Sequence, residues 1–348
     1  MQRREITINM FQYKFGKSDR KVVFIIDGGE KLGFGHFTRT TQIAKYLAEK
    51  KNHESVFITS NSLLSTKIEQ LGFKYYFVKA ANETEKDPQE ICQIAQSQAC
   101  RTVVIDMKSD HNSGHIIDLL KKNNTDMSIA LIDNFTSARL LADKNLYPVP
   151  KQLVSRLSWQ GYTGKVYSGL KYFPLKDEIV NIVQTEKQND CVVVMMGASD
   201  PNNLTSLVMN SLADTGKKIK VIIGPGFTHK DEIDKITHHY SSVFELYDNP
   251  ADYMKVVSSA AIAVTALGVS IYELTYLRIP VLVIANYNSD LETGRILEES
   301  GYCNFLGYYG NLRPNSLKEV LPTIDVKKSP NIIPDRHGAE RASDVILS

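Results

Sequence analysis

VVFIIDGGEKLGFGHFTRTTQIAKYLAE, Val22 to Glu49, carries the pattern that decides the fold. An unbroken apolar run leads into Asp27, glycines follow at 28, 29, 33 and 35, and beyond His36 the residues Ile43, Ala44, Leu47 and Ala48 recur at helical spacing. A continuous β-branched and aromatic run is what a strand buried on both faces requires, since neither face meets water. Glycines let the following backbone approach a ligand closely, and a helix that restarts there presents unpaired N–H groups at its amino end. The stretch predicts strand, ligand-binding loop and helix, the first unit of a parallel α/β sheet.

Working outward, the same alternation continues through SVFITS (Ser55 to Ser60), KYYFVK (Lys74 to Lys79), TVVIDM (Thr102 to Met107) and SIALID (Ser128 to Asp133). It restarts at Cys191 with CVVVMMG (to Gly197), IKVIIG (Ile219 to Gly224), VFELYD (Val243 to Asp248), AIAVTA (Ala261 to Ala266) and VLVIAN (Val281 to Asn286). Helical patterns fill the gaps. Asp87-Pro88 supplies a cap followed by proline at the first helical position, Gly72 ends the helix expected over Ser62 to Leu71, and Asp200-Pro201 and Asn249-Pro250 repeat the cap-then-proline signature. Two βα series predict two Rossmann-like parallel-sheet domains, α/β in class, facing a cleft. The expected division is residues 1–165 and 166–333, with a terminal helix over 334–348 returning to the first domain. The proline- and tyrosine-containing stretch from about Asn145 to Asp190 reads as the linker region, and Glu5 to Phe11 as an edge strand or part of a flexible leader.

With 348 residues, 43% hydrophobic and 23% charged, the chain has the length for two cores and the composition of an ordinary globular protein. A net charge of only +2 provides no general field for a nucleic-acid backbone, so an anionic ligand must be met locally. The four cysteines lie far apart and suit reduced core thiols in a cytoplasmic protein. No apolar stretch approaches the ~20 residues of a membrane span, and no stable membrane insertion is expected. The sequence carries no signal for a particular oligomeric state.

Three turns carry candidate chemistry. In Gly33-Phe34-Gly35-His36-Phe37-Thr38-Arg39, an imidazole sits where the loop becomes helical, a place that suits a neutral base. Thr38 stands where a dinucleotide fingerprint would have its third glycine. Arg39, on the same helix face, is placed either to pair a carboxylate or to counter a phosphate. The second turn is Gly197-Ala198-Ser199-Asp200-Pro201-Asn202-Asn203, where Asp200 also reads as a simple helix cap. In the third, Gly268, Val269 and Ser270 offer backbone N–H groups to a diphosphate, and Glu273 stands one turn further on to accept from vicinal hydroxyls. Asp27, Asp106 and Asp133 end strands and point toward the same presumed cleft. The other histidines form no convincing metal set; His111 and His115 lack an H-E-x-x-H frame.

Taken in order, IIDGGEKLGFGHFTR, ALIDNF, GLKYFPL, VVVMMGASDPNNLT, VIIGPG and NPADYMKVVSSAAIAVTALGVSIYELTYLRIPVLVIA resemble the PseG-type family. These are UDP-sugar hydrolases of pseudaminic acid biosynthesis, with relatives in spore-coat polysaccharide synthesis, and their fold resembles glycosyltransferase-B enzymes such as MurG. The resemblance runs from about Val22 to Leu306. It implies His36 as general base, with water attacking the anomeric carbon with inversion and UDP leaving without a metal or cofactor. It further implies that Asp27, Gly33, Gly35, Arg39, Asp133 and Tyr172 bind the sugar. Gly197, Ser199, Asp200, Asn203, Gly224, Gly268, Val269, Ser270, Glu273 and Asn288 would hold the nucleotide. The chain departs from the family at Ile25, where an arginine is usual, at Leu267-Gly268-Val269-Ser270, where a glycine-glycine-serine-threonine turn is usual, and at Ser289, where a glutamine is common.

The expected ligand is therefore a small-molecule UDP-sugar, with a CMP-sugar as the alternative. The expected function is hydrolysis to UDP and a free amino or deoxy sugar, with two alternatives. One is a glycosyltransferase in which His36 deprotonates an acceptor hydroxyl; the other is a non-catalytic nucleotide-sugar binding protein.

Overall fold

Ten runs of β-branched and aromatic residues become ten parallel strands, joined by three that the sequence pattern did not single out. In the computed structural model, which describes residues 20–29, 33–79, 87–107, 110–182, 188–313, 315–325 and 333–348, the first sheet has seven strands and the second six. The expected strand Glu5 to Phe11 lies outside the described residues. The first sheet comprises β1 (Lys21–Ile26), β2 (Glu54–Thr59), β3 (Lys74–Phe77), β4 (Thr102–Asp106), β5 (Ser128–Ile132), β6 (Lys144–Tyr147) and β7 (Lys165–Ser168), ordered β3-β2-β1-β4-β5-β6-β7. The second comprises β8 (Gln188–Met195), β9 (Lys218–Ile223), β10 (Phe244–Asp248), β11 (Ala260–Ala266), β12 (Val281–Ala285) and β13 (Asn304–Tyr308), ordered β10-β9-β8-β11-β12-β13. All the pairings are parallel.

Both orders reverse direction once, between β1 and β4 and between β8 and β11. At such a switch point the connections leave to opposite faces of the sheet and open a crevice beyond the strands' carboxyl ends. The glycine loop with His36 follows β1, Asp106 ends β4, the Gly197 turn follows β8 and the Gly268 turn follows β11. All the motif turns therefore sit at the rims of the two crevices.

Alternation along β1 explains its unbroken apolar run. Val23 and Ile25 face a core completed by Ile91, Ile116 and Leu120, whereas Val22, Phe24 and Ile26 face Ile43, Leu47 and Leu64 on the other side. The C-terminal helix Gly338–Leu347 lies on this second face through Ala342, Val345 and Ile346. Lys144 of β6, itself buried, donates to the carbonyls of Ile346 (3.1 Å) and Ser348 (2.7 Å), satisfying the end of that helix. A further cluster joins the halves: Tyr147, Val149 and Leu153 pack with Tyr272, Leu274 and Ile296 around Phe173.

Several local expectations are revised. The stretch expected as linker contains β6 and β7, and β7 runs past residue 165, so the first sheet ends at Ser168. β6 (KNLY) lacks an apolar run because Lys144 and Asn145 are buried through tertiary partners, Asn145 Nδ2 donating to the Arg139 carbonyl and the Tyr162 hydroxyl. Asp200-Pro201 and Asn249-Pro250 form turns ahead of helices that begin only at Leu204 and Tyr253, because Asp200 (φ 41°) and Asn249 (φ 44°) are left-handed. At Asp87-Pro88 the helix does begin at the proline, with Asp87 capping the Gln89 N–H. All four cysteines are free and buried.

The C-terminal helix docks so closely that a Cβ at Gly338 would lie 1.8 Å from the Phe173 carbonyl oxygen. Gly338→Ala must displace the helix start or the Phe173 backbone, and overpacking of this kind costs about 1–3 kcal/mol. Chemical denaturation is expected to show that loss; an unchanged midpoint would mean the helix docks differently.

Candidate active site in the inter-lobe cleft

The helix Gly35–Lys51 opens at Phe34, which provides no capping side chain, and no acidic residue occupies its first turn. Its first N–H groups are thus left for an anion or for charge that develops during a reaction. His36 and Arg39 lie one turn apart on one face of this helix, and that face meets the ends of β4 and β5.

Asp106 is fully buried at the end of β4 and gathers three contacts. Arg39 donates to it through two nitrogens, Nε to Oδ2 at 2.6 Å and Nη2 to Oδ1 at 2.5 Å, while His36 Nδ1 lies 2.6 Å from Oδ1. The third Arg39 nitrogen, Nη1, donates to Asp133 Oδ2 at 2.6 Å. Arg39 Nη2 and His36 Nδ1 are also 3.0 Å apart. Both are aimed at the same carboxylate oxygen, so that proximity follows from sharing Oδ1 and is not a further hydrogen bond. A carboxylate can only accept, so the proton of the His36–Asp106 bond resides on Nδ1. In the neutral ring Nε2 then carries the lone pair, and no described residue hydrogen-bonds to it.

The charges in this network hold one another. Burial alone would push the Asp106 carboxyl up, but the Arg39 charge, His36 and their hydrogen bonds outweigh it and hold the group below the usual carboxylate range. Burial would likewise favour loss of the Arg39 proton; Asp106 and Asp133 more than reverse that and keep the guanidinium charged. Asp133 reaches this position from a left-handed backbone (φ 56°) just past β5.

A cleft of about 900 Å³ separates the lobes. One wall carries Gly33, Gly35, His36, Arg39 and Asp133; the facing wall carries Gly197, Ser199, Gly224, Gly268, Val269, Ser270 and Glu273. The walls come within van der Waals range beside the histidine, where a Cβ at Gly35 would lie 3.5 Å from Val269 Cγ1. Gly268 has open space on its Cβ side, whereas Gly224 has none, its Cβ position being 2.4 Å from the Ala198 carbonyl oxygen. Glycine at 224 thus lets the end of β9 pack against the turn after β8.

Other residues singled out from the sequence lie outside this lining. Asp27 is buried behind it, and Tyr172 packs edge-on against Tyr167 on the first lobe's core. Asp200 caps the helix Leu204–Leu212, accepting from the Leu204 and Thr205 N–H groups at 2.8 Å each. Asn203 donates to Glu232, and Asn288 is exposed beyond β12, where Asn286 faces the cleft instead. Sequence reasoning did not find the partners of Glu273. Lys176, from the segment crossing between the lobes, sits 3.5 Å from Glu273 and donates to the Tyr253 hydroxyl at 2.7 Å. Nothing local in Leu175-Lys176-Asp177 signals that role.

No family model matches the chain. Over 317 residues it is 26% identical to an uncharacterized protein of Methanocaldococcus jannaschii, a match covering 86% of this chain and 61% of that protein. MurG of Acinetobacter baumannii superposes with a TM-score of 0.65 at 10% identity, over 94% of this chain and 99% of MurG. For MnaA of S. aureus, solved with UDP, the values are 0.63 and 13%, over 92% and 94% of the two chains. The fold is glycosyltransferase-B-like. The UDP-GlcNAc 2-epimerase of M. jannaschii, in complex with UDP-GlcNAc and UDP, shares this glycosyltransferase-B-like fold at a TM-score of 0.61 and 12% identity, over 94% and 99% of the chains. At these identities the likeness concerns the fold alone.

Within the glycosyltransferase-B-like frame, Asp106→Asn leaves Arg39 buried with a single carboxylate and is expected to cost about 3–5 kcal/mol. The Asp106 carboxyl is held lower in the folded chain than in the unfolded one. Its contribution is therefore complete above the ordinary aspartate value of about 3.9 and fades as pH falls through the lowered one. Denaturation between pH 7 and 3 should show the gap between wild type and variant narrowing toward the acid end; a gap independent of pH would contradict the charge assignment.

Proposed function

We propose that the chain hydrolyses a UDP-linked amino or deoxy sugar, with His36 as general base. The carrying observation is the placement of His36: its Nδ1 is tied to Asp106, and the ring lies beside the contact between Gly35 and Val269. In this mechanism Nε2 takes a proton from a water as that water's oxygen bonds to the anomeric carbon. The bond from that carbon to the diphosphate oxygen breaks on the opposite face, with inversion, and the bonding pair leaves with UDP. The proton then passes from His36 to solvent. A nucleoside diphosphate is already a competent leaving group, so the protein needs chiefly to counter its charge with N–H donors. In this reading the turn after β11, which lines the cleft opposite His36, supplies those donors, and Glu273 accepts from the ribose hydroxyls.

Support comes also from the fold neighbours solved with UDP and UDP-GlcNAc and from the resemblance to the PseG-type hydrolases, which suggests a product destined for a nonulosonic acid or another surface polysaccharide. The likeness to MurG favours a second reading, in which the same Nε2 deprotonates an acceptor hydroxyl and the sugar is transferred.

Incubation with a panel of UDP- and CMP-linked amino sugars, followed by proton and phosphorus NMR, separates these readings. Hydrolysis yields UDP and free sugar with no acceptor added; transfer releases UDP only when an acceptor is supplied, with the sugar joined to that acceptor; a binding protein shows bound nucleotide sugar and no turnover. His36→Ala is expected to lower kcat by about 10²–10⁴-fold with UDP affinity unchanged. Full activity in that variant would remove His36 from the mechanism.

A further inference from the structure

A second cavity, of about 350 Å³, opens off the cleft. The two spaces share Arg39, Asp133, Phe135, Leu267, Gly268 and Val269, so the opening lies between the His36 network and the turn after β11. Its walls are apolar and come from both lobes: Val149, Leu153, Leu157 and Phe173 on one side, Ile296 and Leu297 on the other. Arg156 and Glu292, ion-paired between the lobes, line it too; their side chains are 54% and 71% exposed, so the cavity runs from the buried network to the surface.

Among the described residues, one side-chain atom of this lining is buried with no partner. Asp133 Oδ2 accepts from Arg39, but Oδ1 is buried and accepts from no described residue. A buried carboxylate oxygen without a donor is costly, and only an N–H or O–H can satisfy it. A ligand that fits here therefore presents a donor at the opening and apolar bulk beyond it, which is the order of groups in an N-acylamino substituent. Size sets the length of the acyl chain. At ~30 Å³ per water-sized group the cavity has room for on the order of ten such groups, and an acetyl, with about three heavy atoms, would leave most of it unfilled.

We propose that this cavity binds an N-acyl substituent longer than acetyl on the sugar of the nucleotide ligand, with Asp133 Oδ1 accepting the amide N–H and the inter-lobe apolar walls holding the chain. The inference rests on the nucleotide-sugar reading above and extends it to the class of sugar.

Calorimetry on the full chain tests it with UDP alone and with UDP-hexosamines N-acylated at C2 or at C4 by acetyl, butanoyl and hexanoyl groups. In one of the two positional series, affinity is expected to rise about fourfold for each added methylene. The matching O-acyl ester, which lacks the N–H, should bind tenfold or more weakly than the amide. Leu157→Trp, which narrows the cavity, should flatten the chain-length series while UDP affinity stays as in wild type. UDP binding with no gain from longer chains in either series would overturn the acyl site and leave the nucleotide reading intact; equal binding of ester and amide would overturn the role of Asp133. Absence of UDP binding would overturn the nucleotide reading and this inference with it.

Discussion

A guanidinium that cannot shed its proton has been placed inside the first lobe, and everything near it is arranged to make that tolerable. Arg39 has a side-chain exposure of only 5%, so it must be met by negative charge at hydrogen-bonding distance. Two carboxylates meet it, Asp106 from the end of β4 and Asp133 from beyond β5. One ends a central strand and the other directly follows its neighbour, so the arginine ties the helix Gly35–Lys51 to β4 and β5 at their carboxyl ends. His36, one turn earlier on that helix, shares the same Asp106 oxygen and so acquires a defined tautomer. A buried ion network is weak evidence of net stability, but it is an effective way to orient a group.

Topology explains why that orientation is useful. Both sheets switch direction next to their first strand, and the switch concentrates the loops of β1, β4, β8 and β11 around one cleft. The lobes are kept in contact by an apolar cluster around Phe173 and by Lys176, which reaches Glu273 and Tyr253 from the crossing segment. The histidine thereby faces a wall built by the other domain rather than its own. Chemistry that needs a base on one side and an anion-stabilising turn on the other is suited to such a division, since the two halves can be supplied by separately folded sheets.

Most of the strand content was legible in the sequence because doubly buried strands must be almost wholly apolar. VVFIID, TVVIDM and CVVVMMG are recognisable for that reason alone. β6 was not, because its burial depends on partners remote in the chain: the carbonyls of the C-terminal helix for Lys144, and Arg139 with Tyr162 for Asn145. The cleft-lining glycines, His36, Arg39 and Glu273 were legible as strand-turn-helix motifs. The pairing of His36 with Asp106 was not, since the two are 70 residues apart and meet only because β1 and β4 are neighbours. At Asp200 the sequence left two readings, and the cap is the one seen: its carboxylate accepts from the Leu204 and Thr205 N–H groups of its own helix.

The central claim, that Asp106 fixes the proton of the neutral His36 ring on Nδ1 and leaves Nε2 available at the cleft, is tested most directly by nitrogen NMR of the chain labelled at histidine. The account predicts two-bond couplings and nitrogen shifts for His36 that report a protonated Nδ1 and a bare Nε2. A neutral ring protonated at Nε2 would contradict it.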